Sequence, residues 1–511
     1  MMARFLFSFF VCFFSLVWFF SLEIISQLGN SSQFPNLPKS LPVNIRLFWT
    51  CTGRLSTPIP LLVGFSISKQ LSAQGHSITV VDQSSEFIQK INETQDVKGI
   101  VGRATFPSVL EKAGAEDADM LIAVTDSDEV NMLACTIAYT LYRTPTKICR
   151  IREVDYLNED ETLFQSGAIP VDVTISPERL VTDAIHQLIL NPGSLQVMDF
   201  ASGKIRLVAV KAVEGGPIVG RELQEIREHM PNVDTRVAAI FRKSQSAIIP
   251  EGSTVVEPDD EAFFIAASEN IRAVTSELRK LDEPYKRVMI AGGGKIGASL
   301  AKRLERDYQV KVLELDYDRC RVLSEELEES IVLNGSANDS KLMQQENISN
   351  TDVFCALTNN GESNIMMSML AKRLGAKKVI TLITNSAYAE LVGQEIDIAI
   401  SPQQITISSL LTHVRKGDIS AVHSLRRGAA EALEITAHGD PKTSKVVGRR
   451  LDELDLPPGT TIGAILRGDQ VVIAHRHVVV EEDDHVILFL TDPSKISLVE
   501  KLFVVGGSFI K

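Results

Sequence analysis

The residues best suited to bind a ligand lie in the second half of the chain, in the stretch RVMIAGGGKIGASLAKRL. Gly292, Gly294 and Gly297 form the pattern G-x-G-x-x-G. In such a pattern the first glycine permits a tight turn, the second lets a pyrophosphate approach the backbone, and the third lets a helix pack closely on a strand. Glu314 follows Gly292 by 22 residues, where an acid accepts hydrogen bonds from ribose hydroxyls. The spacing therefore predicts a nucleotide site.

This turn requires a strand before it and a helix after it, and the flanking residues predict both. Residues 288–291 form a short apolar run, and Ile296, Leu300 and Leu304 recur every four residues, as in a helix with one apolar face. Residues 310–315 predict the next strand. The helix N-terminus then offers free N–H groups and the positive end of its dipole to phosphates. One alternative stays open, namely a turn that only packs and binds nothing.

The second half of the chain repeats the first, which predicts a tandem duplication. Three pairs match at an offset of 233 residues: Gly64 with Gly297, Thr125 with Thr358, and Asn131 with Asn364. Further along, residues 175–177 recur as 400–402, and residues 257–260 recur as 481–484. The falling offset indicates small deletions, which belong in loops. Each copy has a larger front part and a smaller back part.

The first copy lacks part of the phosphate-binding pattern. Gly64 keeps the third glycine position, and Asp82 keeps the acid 18 residues later. Pro58 and Pro60, however, stand where a central strand and two glycines are needed, and proline cannot donate the N–H that a central strand requires. Gly53 lies 11 residues before Gly64, too far for the motif. We therefore predict that the first site has no phosphate turn.

Other residues of the first copy are suited to contact a ligand. Thr125 and Asp126 follow the apolar run MLIAV, at a strand carboxyl end where open parallel sheets bind ligands. Arg150 lies in KICRIR and could bind a phosphate with two hydrogen bonds; the alternative is a solvated surface arginine. The corresponding second-copy stretch, VITLITN, has no arginine. The two sites are therefore expected to differ in affinity.

The back part of each copy alternates short strands with one helix, which predicts a small α+β module. The acidic pairs at 259–260 and 483–484 are predicted to occupy turns, with metal chelation as an alternative. His475 and His477 would share one strand face, but no third ligand is near, so we predict no metal there. The sequence shows no nucleophile elbow, Cys/His pair or H-E-x-x-H motif, so we predict that the protein is not an enzyme.

Composition narrows the class of protein and of partner. The 511 residues include 44% hydrophobic and 23% charged residues, typical of globular domains. A net charge of -13 repels phosphate backbones, so we expect no nucleic-acid partner. Bound mononucleotides are compatible with this charge, because local backbone dipoles hold them. The six cysteines form no C-x-x-C pair and are expected to be reduced.

The first 62 residues differ from the rest of the chain. Arg4 precedes a long Phe-rich apolar run, and a clear strand pattern returns only at SITVVDQ. Three interpretations stay open: an export signal, a membrane anchor, or a foreign stretch from a shifted reading frame or misplaced start. We favour the last, because the join falls inside a motif, just before Val63 and Gly64.

The whole arrangement resembles the regulator of potassium conductance (RCK, or KTN) family in its tandem form. The resemblance runs from about Val63 to the C-terminal region and rests on stretches such as VGFSISKQLSAQGHSITVVD, EDADMLIAVTDSDEVNMLAC, PYKRVMIAGGGKIG and DIAISPQQ. It implies an α/β fold with two tandem copies of a Rossmann-like parallel-sheet domain (RCK-N), each followed by a small α+β domain (RCK-C). The expected domains are 63–178, 193–277, 285–402 and 420–506, after an atypical segment 1–62.

The resemblance also implies a function and its site residues. Members bind NAD or NADH, and some bind ATP or ADP; they form a homo-oligomeric ring at the cytoplasmic face of the inner membrane, as peripheral subunits that gate a Trk-type potassium channel. By matched position, the nucleotide-binding residues of the second copy are Gly292, Gly293, Gly294, Lys295, Ile296, Gly297, Glu314, Thr358 and Asn359. Those of the first copy are Val63, Asp82, Thr125, Asp126 and Arg150.

Two rival functions remain at this point. One is an NAD-dependent dehydrogenase, although the back parts offer no clear acid–base pair that could act beside a nicotinamide. The other is a soluble RCK regulator of a different cation transporter. Turnover of NADH would identify the first, and the identity of the membrane partner would identify the second.

Overall fold

The computed structural model describes residues 44–48, 59–73, 75–242, 247–279, 283–384, 388, 395–415 and 418–505. Within these ranges two copies of one architecture follow each other, each a parallel sheet with helices and then a smaller antiparallel module, which confirms the predicted fold class. Residues 1–43 lie outside the described part of the chain, so the three interpretations of the Phe-rich start stay predictions.

The first front part is a six-stranded parallel sheet. Its strands are β1 (Asn44–Phe48), β2 (Ser77–Asp82), β3 (Lys98–Val101), β4 (Met120–Ala123), β5 (Thr146–Arg150) and β6 (Val173–Ile175). Its helices are α1 (Ile59–Ala73), α2 (Ser85–Thr94), α3 (Pro107–Lys112), α4 (Asp128–Tyr142), α5 (Val154–Asn158) and α6 (Pro177–Leu190). The strand order is β3-β2-β1-β4-β5-β6, the doubly wound arrangement in which ligands bind at the strand carboxyl ends.

The central strand of this sheet corrects a prediction. We expected the place of that strand to be occupied by Pro58 and Pro60, but β1 lies upstream of both prolines and inside the segment 1–62. In β1, Leu47 pairs with Val80 on one side and with Ile122 on the other. The first front part therefore begins before the predicted boundary at residue 63, because β1 is the strand that lies between β2 and β4.

The first back part is an antiparallel sheet of four strands, which confirms the α+β prediction. Its strands are β7 (Ser194–Phe200), β8 (Ile205–Lys211), β9 (Thr235–Phe241) and β10 (Glu261–Ala267), in the order β7-β8-β10-β9. Its helices are the short α7 (Ile226–His229) and α8 (Ile271–Leu278).

The second copy repeats both parts. Its front strands are β11 (Arg287–Ala291), β12 (Gln309–Glu314), β13 (Ile331–Asn334), β14 (Val353–Ala356), β15 (Lys378–Leu382) and β16 (Ile398–Ile400), in the order β13-β12-β11-β14-β15-β16. Its front helices are α9 (Lys295–Leu304), α10 (Tyr317–Glu326), α11 (Ser340–Gln345), α12 (Gly361–Arg373) and α13 (Pro402–Val414). The back sheet has the order β17-β18-β21-β19-β20, with strands β17 (Ile419–Leu425), β18 (Ala430–Thr436), β19 (Thr460–Arg467), β20 (Gln470–Ile473) and β21 (His485–Leu490), and is followed by α14 (Ile496–Phe503).

The repeated Ile-Ser-Pro sequence has a local structural explanation. In both copies the serine is the N-cap of the last front helix and the proline is its first residue: Ser176 accepts from the Arg179 amide, and Ser401 accepts from the Gln404 amide. Serine at the N-cap satisfies an otherwise unpaired amide, and proline has no N–H to leave unpaired at the next position. These residues therefore start α6 and α13.

Those two helices join the copies. α6 of the first copy packs on α9 of the second, α13 of the second copy packs on α1 of the first, and α6 and α13 contact each other. Val181 and Ile185 of α6 lie in one buried cluster with Leu300 of α9. Leu410 of α13 lies in another with Leu71 of α1. Each copy therefore covers the first helix of the other copy with its own last helix.

The two back sheets also pack against each other. Phe200 and Phe263 of the first copy share a buried cluster with Leu425 and Phe489 of the second, and the rings of Phe263 and Phe489 are 6.2 Å apart between centroids. Across this interface, Ala201 N donates to Glu434 Oε2 of the second copy at 2.8 Å. The copies therefore form one structure through both their front and their back parts.

In each of the two acidic pairs of the back parts, an arginine holds the second aspartate. Asp260 accepts from Arg242 Nε and Nη2 at 2.9 and 2.8 Å, and Asp484 accepts from Arg467 in the same way at the same distances. Asp260 also accepts from the Glu257 amide at 2.9 Å, which closes the turn. Across the described residues, no three His, Cys, Asp or Glu side chains are grouped so as to hold a metal ion.

None of the helices within the described ranges has both the length and the apolar character that a membrane crossing requires.

The exchange of last helices predicts where a cavity is most destabilising. Leu410 is fully buried between α13 and α1, so Leu410→Ala should lower the free energy of unfolding by about 2–5 kcal/mol. Leu498→Ala is the control, because Leu498 is 48% exposed on α14 and should change stability by less than about 0.5 kcal/mol. Urea titration followed by circular dichroism measures both, and equal losses would contradict the packing described.

Candidate functional site

The glycine turn of the second copy joins β11 directly to α9. Gly292 has φ +106°, a conformation that side chains other than hydrogen rarely adopt. Gly297 lies under the turn, and a Cβ at this position would be 1.9 Å from the Gly292 carbonyl oxygen. The two glycines thus permit the tight turn and the close helix–strand contact that their spacing predicts.

The middle glycine faces open space. Gly294 is the N-cap of α9, no side chain caps the helix there, and a Cβ built at Gly294 would meet no atom within 4 Å. The first amides of α9 are therefore directed toward a space that a ligand can enter. Amides at a helix N-terminus, with the positive end of the helix dipole, form an anion site.

The acid at the end of β12 lies beside this turn. Glu314 Oε2 accepts from the Gly293 amide at 2.6 Å, and its Oε1 accepts from the Asp316 amide at 2.9 Å. Each carboxylate oxygen has a second acceptor position, so Glu314 can accept ribose hydroxyls while it holds the turn. The structure thus places Glu314 within one hydrogen bond of the predicted phosphate site.

Sequence reasoning missed a residue that supports the turn. Arg319 Nε donates to the Gly293 carbonyl oxygen at 2.8 Å from the first turns of α10. Gly293 is therefore held on both sides, by Glu314 at its amide and by Arg319 at its carbonyl. The only signal in the sequence is a cation five residues after the acid, which does not by itself indicate contact with the turn.

Thr358 lies at the same edge of the sheet. Its Cγ2 is 3.0 Å from the position of a Cβ on Gly292. Asn364, which is fully buried, accepts from Thr358 N at 3.0 Å and donates to Thr358 O at 2.9 Å and to Leu382 O at 3.0 Å. Asn364 therefore fixes the loop after β14 and holds it beside β15. Asn359, the next residue of that loop, is exposed.

Two further predicted residues lie at the start of α9 with different surroundings. Ile296 packs against the buried cluster of the second front part. Lys295 Nζ forms an ion pair at 2.6 Å with Glu153, a residue of the first copy. Both groups are about half exposed, so the pair adds little stability. It nevertheless shows that the first copy reaches the edge of the second-copy site.

The first copy keeps the same backbone arrangement around its own edge. Asp82 is fully buried at the end of β2, and its Oδ1 accepts from the Ser84 amide at 2.6 Å. Asn131 accepts from Thr125 N at 2.9 Å and donates to Arg150 O at 2.9 Å, which is the pattern of Asn364 in the second copy. Asn131 and Asn364 matched in the repeat, and the structure shows that both hold the loop after the fourth strand of their sheet.

Arg150 is buried, so the alternative of a solvated surface arginine is wrong. Its side chain is 5% exposed, its Nη1 lies 3.4 Å from Thr125 O, and its Nη2 lies 3.6 Å from a Glu178 oxygen. Burial lowers the pKa of the Arg150 guanidinium, against the opposing influence of Glu178 and Asp128. Asp126 follows Thr125 in the same loop, half-buried.

The two edges differ in charge at equivalent positions. Leu382 replaces Arg150, since each gives its carbonyl oxygen to the equivalent asparagine. Gly361 starts α12 where Asp128 starts α4, and Gln403 follows the helix-starting proline where Glu178 does. The second edge is therefore neutral where the first carries charged groups.

The predicted loss of the first glycine turn concerns residues that the structure does not describe. Val63 and Gly64 lie inside α1, and the connection from β1 to α1 spans residues 49–58, which the structure does not describe. In the second copy the equivalent connection has only three residues, Gly292 to Gly294. The first turn therefore stays a prediction.

Comparison with known families and proteins gives a consistent result. Residues 62–177 and 288–402 match the TrkA-N domain family, and residues 207–279 and 440–504 match the TrkA-C domain family. The second TrkA-N match begins within β11, whereas the first begins inside α1 and so omits the positions of the first strand and glycine turn.

Three relatives match this chain over nearly their whole length. The chain is 58% identical over 448 residues to the Trk system potassium uptake protein TrkA of Halomonas elongata, spanning 88% of this chain and 98% of that relative. The protein of the same name from Vibrio alginolyticus is 57% identical over 449 residues, and that from Haemophilus influenzae is 49% identical over 449 residues, both with the same coverage.

Solved structures show the same fold. The chain is similar to the RCK domain of GsuK, with a TM-score of 0.56, 16% identity, and coverage of 94% of this chain and 99% of that one. It is similar to the GsuK channel bound to NAD at the same TM-score and identity, covering 96% and 84%.

The geometry of the two glycines predicts that one added methyl group lowers the free energy of unfolding strongly at Gly297 and little at Gly294. Gly297→Ala should lower the free energy of unfolding by more than about 2 kcal/mol, because its Cβ would lie against the Gly292 carbonyl. Gly294→Ala, the matched control, should change it by less than about 1 kcal/mol, because its Cβ enters open space. Denaturant unfolding of the two variants compares them, and an equal effect would show that the turn is not packed as described.

Proposed function

Because this chain belongs to the family of the Trk system potassium uptake protein TrkA, we propose that it is the nucleotide-sensing regulatory subunit of a Trk-type potassium uptake system. The observation that supports the proposal best is the open N-terminus of α9. There Gly294 leaves the helix amides accessible, and Glu314 lies one hydrogen bond from the turn.

The ligand that fits this second-copy site is a dinucleotide, NAD or NADH. Its pyrophosphate would lie on the amides after Gly294, and a ribose would donate hydroxyls to Glu314. An acid at this position disfavours a 2′-phosphate by charge repulsion, so NADP is not expected. ATP and ADP are further candidates, because they share the phosphate and ribose contacts. The residues assigned to the second-copy site are Gly292, Gly293, Gly294, Lys295, Ile296, Gly297, Glu314, Thr358 and Asn359.

In the first copy we propose a weaker or different site. Its residues are Val63, Asp82, Thr125, Asp126 and Arg150. Arg150 is buried and already lies near Thr125 O and Glu178. It could therefore contact a phosphate only if the ligand entered the edge of the sheet. The neutral and charged edges therefore support different ligand affinities, as the sequence predicts.

Nucleotide binding would act on the channel through the relation between the copies. A ligand shifts an equilibrium only as far as its affinity differs between the two states. The phosphate site is the N-terminus of α9, and the side of α9 packs on α6 of the other copy. A ligand that prefers one position of α9 would therefore change how the two copies pack.

The remaining parts of the proposal concern assembly and place. We propose that the chain forms a homo-oligomeric ring, bound as a peripheral subunit to the membrane channel at the cytoplasmic face of the inner membrane. A symmetric ring can transmit a change in each copy to a central pore. The proposal assigns the protein no catalytic role, and no dehydrogenase activity follows from its site.

One substitution tests nucleotide binding at the second-copy site. Gly294→Asp should weaken NADH binding at least tenfold, because it places a negative charge against the phosphates without a clash in the free protein. Gly294→Ala adds bulk at the same place without the charge, so it should weaken NADH binding less than Gly294→Asp does, and the difference measures the effect of the charge. Isothermal titration calorimetry measures both, and an unchanged affinity in Gly294→Asp would count against this site.

Channel regulation has a separate test. The purified full-length chain is added to proteoliposomes that contain the Trk-type membrane subunit, and potassium flux is recorded with and without NADH, NAD, ATP or ADP. We expect flux to depend on at least one nucleotide when the chain is present, and NADH absorbance to stay constant. Consumption of NADH would favour the dehydrogenase, and flux that ignores all four nucleotides would refute the regulator.

A further inference from the structure

The repeat relates two places where the copies cross, and ion pairs occupy the first of them. Where α6 crosses α9, Arg303 of α9 pairs with Asp183 of α6. In the back sheet that follows α6, Arg206 Nε and Nη2 donate to the two oxygens of Asp199 at 2.6 and 3.1 Å. The first copy thus has one ion pair at the crossing and a second one in the back sheet that follows α6.

The second crossing, of α13 over α1, has different residues at the same four positions. The repeat offsets of 233 for the first helix and 225 for the other elements give the equivalences. The positions of Arg303, Asp183, Arg206 and Asp199 hold, in that order, Gln70, Ser408, Glu431 and Ser424. Three of the four are neutral and shorter, so space remains where the first crossing has ion pairs.

That space is a cavity of about 280 Å³. A cavity needs only about 10–15 Å³ to hold one water, so this one has room for a solute of many atoms. Its lining residues with hydrogen-bonding side chains include Ser66, Gln70, Gln403, Ser408, Ser424 and Glu431. They come from both copies, since Ser66 and Gln70 lie on α1 and the others on the second copy. A bound solute would therefore contact both copies at once.

The charges around the cavity favour an uncharged ligand. Glu431 is the one charged residue among those described in the lining, and it is 2% exposed. Arg415 Nη2 donates to its Oε2 at 2.8 Å and neutralises it. Among the described lining residues no other charged group is available to pair with a charged ligand, so burial of a net charge there would be unfavourable. Burial also raises the pKa of Glu431, against the opposing effect of Arg415.

The lining matches the chemistry of hydroxyl groups. Amide and hydroxyl side chains both donate and accept hydrogen bonds, as does each hydroxyl of a polyol. The hydrogen bond from Gln70 Nε2 to Glu431 Oε1 is long, at 3.4 Å. Glu431 Oε1 can therefore accept a shorter and stronger hydrogen bond from a ligand O–H. Ile407, Leu411 and Val422 supply an apolar wall against which C–H groups can pack.

We propose that this cavity binds a small uncharged solute with several hydroxyl groups, a polyol or a mono- or disaccharide. The site is separate from the glycine turn, and it lies where α13 of one copy meets α1 of the other. The solute would thereby stabilise one relative position of the copies, in addition to any effect of a nucleotide.

Calorimetric titration of the full-length chain with glycerol, glucose and trehalose tests the site. We expect saturable binding of at least one of the three. The double variant Gln70→Arg, Ser408→Asp restores the residue types of the first crossing and should fill the cavity, weakening that binding at least tenfold. The affinity for NADH, measured in the same preparations, should stay within twofold, which shows that the fold and the second-copy site are intact.

A second variant guards against a double variant that does not fold. Ser424→Leu narrows the same cavity with one apolar side chain and should also weaken the binding at least tenfold. Three outcomes would overturn the proposal: none of the three solutes saturates the wild-type chain, a folded cavity variant binds as well as the wild type, or potassium chloride competes with the solute for the cavity.

Discussion

The structure depends on the exchange of last helices between the two copies. α6 and α13 bury their apolar faces against the first helices of the opposite copy, and the association rests on removal of that surface from water. Leu300 and Leu304 of α9 are both fully buried, in one cluster with residues of α6. The helix whose N-terminus carries the candidate phosphate site is therefore held along its side by the other copy. This packing is what the proposed regulation by a ligand at the site would act on.

The two copies share the hydrogen bonds that hold the backbone at the sheet edges, but differ in the side chains at those edges. Asn131 and Asn364 make equivalent hydrogen bonds to the loop after the fourth strand and to the end of the fifth. At the end of that fifth strand one copy has Arg150 and the other Leu382. The scaffold that would position a ligand is thus common to both copies, whereas the chemistry offered to it is not. Such a division allows one fold to respond to two ligands or to two affinities.

The same divergence recurs at the helix crossings. Charged pairs such as Arg303 with Asp183 meet at one crossing, and Gln70 and Ser408 leave a polar cavity at the other. The asymmetry means that the two crossings need not respond alike to a change in the relation of the copies.

The sequence by itself determined what depends on neighbours in the chain. Helical periodicity, the spacing of Gly292, Gly294 and Gly297, and the recurrence of the same residues in the second half of the chain led to the fold class and to the second-copy turn. The tertiary structure alone decided that β1 is the inner strand of the first sheet, that Arg150 is buried, and that Arg319 holds the turn. It also decided the helix exchange and the cavity, since each of these joins residues that are far apart in the chain, and their contact depends on how the two copies pack rather than on any local pattern.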